Sequence, residues 1–126
     1  MANIIYGVNG TGKTSLLEAI YLLGRGRSFR HRDLRMVVNH QAEELVVSAK
    51  VKKKDPLRSH QLGIKRGASG NFAARLDGKA ILTAAQLATV LPIQLIDAQS
   101  FSLLEGGPLQ RRQFLDWGVF HVEQSY

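Results

Sequence analysis

The sequence contains no cysteine, and this absence excludes disulfide bonds, thiolate zinc sites and cysteine nucleophiles together. It also lacks any run of about 18 apolar residues, so no transmembrane helix is expected. The first residues, MANIIYGVNG, lack the basic segment and cleavable apolar stretch of a signal peptide. The cytoplasm is therefore the expected compartment, and no membrane partner is predicted.

Acidic residues are scarce, since 10 Asp and Glu face 17 Lys and Arg and leave a net charge of +7. This balance favours polyanionic partners, such as nucleic acid, a nucleotide or an anionic membrane surface. A protein that is merely basic is the alternative. The length of 126 residues fits one domain, and the 44% apolar content is enough for a core.

The segment GVNGTGKT, residues 7–14, matches the phosphate-loop pattern G-x-x-x-x-G-K-[ST] in full. Its glycines let the backbone curl so that successive N–H groups face inward, and a helix N-terminus completes the anion site. Lys13 can then reach the β- and γ-phosphates, and the Thr14 hydroxyl can bind Mg²⁺. The structural alternative is a glycine turn that holds no ligand.

Apolar patterning places this loop between a strand and a helix. Residues 3–6 are short, apolar and β-branched, which predicts a buried strand. Residues 14–23 predict a helix that ends at Gly24. Because it is apolar nearly all round, we expect burial on more than one side.

The middle of the sequence predicts an antiparallel β meander over residues 44–82. Residues 44–51 alternate between apolar and polar side chains, and residues 59–66 alternate more weakly. Asp77-Gly78 between two short strands is a strong hairpin signal. Thr83 can then cap a helix that runs to about Val90.

The last third of the sequence predicts one more strand and one more helix. Residues 93–96 read as a second buried strand, and Pro108 fits the first position of a helix that ends near residue 121. Phe114 and Trp117 are three residues apart on that helix and are predicted to be core residues.

A hydrolase also needs a second Mg²⁺-holding carboxylate, usually an Asp after four apolar strand residues. The only near match is residues 93–97, IQLID, where Gln94 departs from the pattern. An Asp97 that simply ends a strand is the favoured interpretation. The chain is therefore expected to carry half of an ATPase site, and no catalytic residue is assigned.

Two blocks, GVNGTGKTSLLEAIYLLGRGRSFR and LPIQLIDAQSFSLLEGGPLQRRQFLDWGVFH, closely resemble the N-terminal part of the bacterial RecF family. These recombinational DNA-repair proteins belong to the ABC/SMC-like ATPase class. The pattern GGP-x-x-RR-x-FLDW-x-x-FH is the more specific of the two. The resemblance implies an α/β fold, a P-loop NTPase lobe of the ABC-ATPase type with an adjoining antiparallel β meander.

Family members carry a further strand before the loop, and their signature motif and acidic Walker B strand lie downstream. We therefore expect residues 1–126 to be one partial lobe, truncated at both ends. The resemblance implies the cofactors ATP and Mg²⁺, an ATP-dependent homodimer on duplex or gapped DNA, and weak ATP hydrolysis. It also implies the partners RecR, RecO and RecA, since the family helps to load RecA at gaps.

The same resemblance assigns site residues. A glutamine linked to Mg²⁺ follows a strand in ABC ATPases, and Gln99 is the candidate for it here. Relatives often read Pro-Glu or Pro-Asp near this point, where this sequence reads Ala98-Gln99. The implied nucleotide loop comprises Gly7, Asn9, Gly10, Thr11, Gly12, Lys13, Thr14 and Ser15.

Two basic clusters are candidates for DNA contact. The first, which we call the arginine connector, is residues 25–35 (RGRSFRHRDLR), and its DNA-binding candidates are Arg27, Arg30 and Arg32. The second cluster is Lys50 with residues 52–54. For both, a solvated surface is the alternative, and the arginines can also serve as ion-pair partners.

Two other functions stay open. A small P-loop kinase would also carry GVNGTGKT, with an arginine lid and an acidic base near the loop. A non-catalytic DNA-binding remnant would keep the positive charge without holding nucleotide. ATP affinity and phosphotransfer discriminate between these functions.

Overall fold

The computed structural model describes residues 2–31, 33, 37–39, 41–52, 59–67, 69 and 71–123. The chain forms two compact units, Met1–Ile93 and Gln94–Tyr126. The phosphate loop, the first helix and the predicted meander all belong to the first unit.

Helix α1 spans Lys13–Arg25, directly after the loop. Gly26 follows its last turn in the left-handed conformation, with φ 65°, and its N–H donates to the Leu22 carbonyl at 2.8 Å. The helix therefore ends later than predicted, because Gly24 continues the helical backbone instead of stopping it.

Gly24 has a packing role instead. A Cβ atom at this position would lie 2.5 Å from Cδ1 of Ile93 and 2.6 Å from the Leu91 carbonyl oxygen. Helix α1 thus passes so close to this segment that only glycine fits there.

Four strands form one antiparallel sheet in the order β1-β2-β3-β4, with strands Glu44–Lys52, Ser59–Gly67, Phe72–Leu76 and Lys79–Ile81. The predicted meander is confirmed. Burial alternates along β1, so Val47 and Ala49 face the core while Val46 and Ser48 face away from it. In the register, Val47 pairs with Ile64 and Ile64 pairs with Ala74.

A two-residue turn joins β3 to β4. Asp77 and Gly78 have φ values of 50° and 81°, as a type I′ hairpin turn requires. The Asp77 carboxylate accepts the Gln61 backbone N–H at 2.7 Å and lies 2.6 Å from Nδ1 of His60. The hydrogen bond with His60, followed by that from Gln61, holds the pKa of Asp77 below its ordinary value of 3.8.

The core of the first unit lies between the sheet, α1 and a second helix. Its buried members are Leu23, Leu62, Ile64, Ala74 and Leu87. Leu87 comes from α2, Ala84–Val90.

Thr83 is the N-cap of α2, as predicted, and it forms a capping box with Gln86. Gln86 N–H donates to the Thr83 hydroxyl at 3.3 Å, and Thr83 N–H donates to the Gln86 side chain at 3.3 Å. This reciprocal pair satisfies two donors that a helix start otherwise leaves without acceptors.

The second unit is helical. A 3-10 helix at Ala98–Phe101 leads into α3, Ser102–Glu105, and α4 spans Pro108–Val122 with Pro108 in its first turn. No residue of α4 is buried, and Phe114 is 47% exposed, so the prediction of Phe114 as a core residue is wrong. Trp117 is half-buried, with its ring 4.5 Å from that of His121. Across the described ranges, no helix combines the length and apolarity needed to cross a membrane.

Both predicted buried strands outside the meander are wrong. Residues 3–6 form no strand, and Ile4 and Tyr6 are 85% and 89% exposed. Residues 93–96 also form no strand, and Ile96 is 83% exposed. A strand requires hydrogen bonds from a neighbour, and no described segment pairs with either stretch.

Helix α1 is also less buried than its composition predicts. Leu16, Leu17 and Ile20 are 50%, 46% and 41% exposed, so only its C-terminal half enters the core. Apolar composition shows that a face can be buried, but burial needs a second layer against it.

Two helical glycines should respond to alanine with opposite signs. We expect Gly24→Ala to destabilise the chain, because its Cβ would clash with the Leu91 backbone and Ile93. Gly118→Ala in α4 is the control, since a Cβ there meets nothing within 4 Å and should add about 0.5–1 kcal/mol. Urea unfolding of both variants tests this, and a stabilising Gly24→Ala would contradict the packing role.

The Asp77 turn should make stability depend on pH. Because the pKa of Asp77 is lower in the folded state, the ionised carboxylate stabilises the fold at pH values above its unfolded-state pKa of 3.8. This stabilisation is lost as the pH falls through the folded-state pKa. Asp77→Asn tolerates the left-handed turn but carries no charge. We expect the wild type to exceed Asp77→Asn in stability at neutral pH, with the difference shrinking between about pH 5 and pH 1. A difference that stays constant in urea unfolding across that range would contradict the role of the carboxylate.

Candidate functional site

The phosphate loop is held by two glycines in left-handed conformation. Gly10 and Gly12 have φ values of 86° and 85°. This left-handed conformation is unfavourable by about 1–2 kcal/mol for residues that carry a Cβ atom. A Cβ atom at either position would meet nothing within 4 Å. Backbone conformation, and not space, therefore demands glycine at these two positions.

The side chains of the loop tie its two ends together. The Lys13 ammonium donates to the carbonyls of Gly7 at 2.7 Å and Val8 at 2.8 Å. The Thr11 hydroxyl donates to the same Val8 carbonyl at 2.9 Å. The positive charge of Lys13 is thereby kept at the loop, at the start of the helix.

The loop leads directly into the N-terminus of α1. Leu16 N–H makes the first hydrogen bond of the helix, to the Gly12 carbonyl at 2.9 Å. The N–H groups of residues 13–15 are those that a helix start leaves without an intrahelical acceptor. Together with the helix dipole they favour an anion at this end. Thr14 and Ser15 are exposed there.

A buried glutamate in α1 organises residues 28–31 of the arginine connector, and the sequence reasoning missed it. Glu18 is only 6% exposed, and its carboxylate accepts the Ser28 hydroxyl. Ser28 Oγ in turn accepts the backbone N–H groups of Arg30 at 3.0 Å and His31 at 2.9 Å. The available signal was one acidic residue within an apolar helix, but its partner lies ten residues away and is not apparent from the pattern.

The three DNA-binding candidates of the connector differ in their surroundings. Arg30 lies 4.0 Å from the Glu18 carboxylate and its side chain is 49% exposed. Arg27 is exposed, and Arg32 lies outside the described residues. Phe29, between them, packs edge-on against Tyr21 with ring centroids 5.5 Å apart.

A cavity of about 270 Å³ lies beside α1, between the helix, the connector and β1. Its polar lining comes from Ser15, Glu18, Arg30 and His31, and β1 contributes apolar side chains. Ser15 thus belongs to both the loop and the cavity. The connector and the loop therefore meet along a single helix.

The remaining candidates lie in the second unit. Asp97 N–H donates to the Ser100 hydroxyl at 2.9 Å, and that hydroxyl donates to the Asp97 carboxylate at 3.0 Å. Asp97 therefore precedes the 3-10 helix, hydrogen-bonded to Ser100 within it, and does not end a strand. Gln99 has its backbone in this helix, and its side chain lies outside what the structure describes.

Residues 1–107 match the family model described as the RecF/RecN/SMC N terminal domain. Among curated relatives, the DNA replication and repair protein RecF of Azotobacter vinelandii (strain DJ / ATCC BAA-1303) is 54% identical over 98% of this chain. RecF of Pseudomonas putida (strain W619) is 51% identical over the same share. The chain covers 34% of each, so it spans about a third of the length of these relatives.

Solved structures of RecF and of an SMC ATPase are also similar to this chain. The recombination mediator protein RecF-ATP of the RecFOR pathway superimposes with a TM-score of 0.80 at 26% identity, covering 96% of this chain and 32% of that one. A structure from work on ATP-driven dimerization and DNA stimulated activation of SMC ATPases gives a TM-score of 0.69 at 17% identity, covering 93% of this chain and 84% of that one. The second likeness concerns the fold alone. Together the two place the chain in the P-loop fold of the ABC-ATPase lobe.

The matched range of the family model takes in the phosphate loop, the whole meander and the segment that carries Gln99. Because that range is most of the chain, this protein belongs to the RecF/RecN/SMC N-terminal domain family.

Proposed function

We propose that this chain is the ATP-binding N-terminal part of a RecF-like DNA repair protein. The observation that carries the proposal is the meeting of left-handed Gly10 and Gly12, the start of α1 and the Lys13 ammonium at one place. Inward N–H groups at a helix N-terminus form a general anion site. The ATP named with the similar RecF structure supports a nucleotide as that anion.

In the proposed site, both the backbone and the side chains of the loop bind phosphate. Gly7, Gly10 and Gly12 shape the cradle, and Lys13 exchanges its carbonyl acceptors for the β- and γ-phosphates. Asn9, Thr11 and Ser15 complete the loop. The cradle thus binds and orients the triphosphate mainly through main-chain N–H groups.

Mg²⁺ fits this site through the nucleotide. Mg²⁺ keeps several waters and binds one or two protein oxygens together with substrate phosphates. The exposed Thr14 hydroxyl is the protein oxygen we assign, and Gln99 is the proposed second residue linked to the metal. When bound, the ion neutralises negative charge on the phosphates. The described residues hold no cluster of three or more His, Asp or Glu that could bind it without phosphates.

In the full-length protein, we propose that ATP held between two protomers closes a homodimer on duplex or gapped DNA. The signature motif of one protomer would complete the nucleotide site of the other. The dimer would act in the cytoplasm with RecR and RecO to load RecA at gaps. The ATP-driven dimerization named for the similar SMC ATPase structure supports this view.

Lys13→Ala should weaken ATP binding to the 126-residue chain. Loss of one charged hydrogen-bond donor costs about 1.5–3 kcal/mol, which corresponds to a roughly ten- to 150-fold weaker affinity. Titration calorimetry with Mg-ATP measures it, and Lys79→Ala, an exposed lysine outside the loop, serves as the matched control. Equal ATP affinity of wild type and Lys13→Ala would favour the non-catalytic DNA-binding remnant.

We also expect the chain by itself to hydrolyse ATP negligibly, because its sequence offers no apolar strand that runs into Asp-Glu. Turnover near about 1 s⁻¹, the low end of ordinary enzymes, would reveal a catalytic carboxylate that we have not assigned. Incubation with labelled ATP and nucleosides covers the kinase alternative. Phosphotransfer at that rate would overturn the repair function.

A further inference from the structure

The β meander presents one face that no described residue of the first unit covers. Alternation sends Val47, Leu62 and Ala74 into the core, so their neighbours along each strand point the other way. We call this side the open face. Its exposed members are Glu44, Val46, Ser48, Lys50, Lys52, Ser59, Gln61, Lys65, Ala73, Arg75 and Ala80.

The open face carries an excess of positive charge. Glu44 is the only carboxylate among these described members, and Lys65 pairs with it across β1 and β2. Lys50, Lys52 and Arg75 have no ion-pair partner within the described part of the chain. Because neighbouring strands lie about 4.8 Å apart, Arg75 on β3 stands roughly 10 Å across the sheet from β1, which carries the two lysines.

Small residues form the floor of the open face around Arg75. One row across the four strands consists of Ser48, Gly63, Arg75 and Ala80. Ala73 is the next residue of β3 on the same face. Glycine and alanine are unfavourable in strands, so this floor adds little to the stability of the sheet.

Neither the backbone conformation of Gly63 nor the described residues around it require glycine at this position. Its φ is not positive, and a Cβ atom there would sit at ordinary contact distances, 3.8 Å from Cβ of Ser48 and 3.9 Å from the Val47 carbonyl oxygen. Glycine inside a strand often marks a place where another backbone or a ligand approaches closely. The floor therefore leaves room for a partner against the sheet.

We propose that the open face binds the sugar-phosphate backbone of DNA, with Lys50, Lys52 and Arg75 contacting phosphates and Gly63 admitting the backbone beside Arg75. This inference rests on the proposed DNA-repair function and names the surface that carries it. Lys, Arg, Ser and Gln side chains are the usual donors to phosphate. A protein partner would need a larger apolar centre, and Val46 is the one large apolar side chain exposed among the described residues of this face.

The described central part of the arginine connector is more engaged within the first unit than the open face is. Arg30 lies beside the buried Glu18, and Phe29 packs against Tyr21. Two of its central side chains are thus engaged within the unit, whereas the three cations of the open face point to solvent.

The test is DNA affinity measured as a function of salt. Fluorescence anisotropy with a labelled duplex, in Mg-ATP, would compare the wild-type chain, Lys50→Gln/Arg75→Gln and the control Lys79→Gln. Lys79 pairs with Leu76 and therefore lies on the opposite face of the same sheet. Each lost phosphate contact lowers the slope of log K against log salt by about 0.9. Between about 50 and 200 mM salt, the wild type should therefore lose about twelvefold more affinity than the double variant.

The outcomes separate this inference from the proposed function. If the wild type binds DNA and the double variant keeps its affinity and salt slope, the open face is not the DNA surface, although the repair function stands. If the wild type fails to bind DNA at low salt, both are overturned for this chain. Poly-glutamate that competes as well as DNA, charge for charge, would reassign the face to an acidic polypeptide.

Gly63→Val supplies an independent variant that leaves every charge in place. Valine favours strands, so the melting temperature should stay equal or rise. DNA affinity should fall, because the valine side chain fills the floor beside Arg75. Unchanged DNA affinity in a folded Gly63→Val chain would contradict the proposal that the DNA backbone approaches the sheet closely at Gly63.

Discussion

The placement of the phosphate loop depends on the burial of the opposite end of α1. Leu23 packs with Leu62, Ile64 and Leu87 in the core, and Gly24 brings the helix against residues 91–93. Since α1 is one continuous helix about 20 Å long, anchoring its C-terminal half positions its N-terminus. The left-handed glycines and Lys13 then define a cradle at that free end. The apolar core and the proposed anion site thus lie at opposite ends of the same helix.

A polar contact on the same helix positions the basic connector. Burying a carboxylate is costly unless hydrogen bonds compensate for it. Glu18 meets this requirement through Ser28, whose oxygen also accepts N–H groups from Arg30 and His31. The path of residues 28–31 of the connector and the position of the phosphate loop therefore depend on one helix, which links the loop directly to a basic segment.

Local features were predictable because their cause lies within a few residues. The loop GVNGTGKT, the Asp77-Gly78 turn and the Thr83 N-cap each require particular residues at particular positions, and all three occur where expected. Residues 3–6 and 93–96 have the composition of buried strands but form none. Composition indicates whether a segment can be buried. Strand formation also requires a neighbouring strand, and the local pattern does not identify one.

The sequence alone determined the residues of the phosphate loop, the order of the meander strands and the excess of positive charge. These follow from residue type, alternation and short-range spacing. Only the tertiary structure decided which charges act together. Strand register places Arg75 on the same face as Lys50 and Lys52, while Glu18 draws the connector against α1. Both relations join residues that are distant along the chain, so they arise from packing and hydrogen bonding between elements, which no local pattern contains.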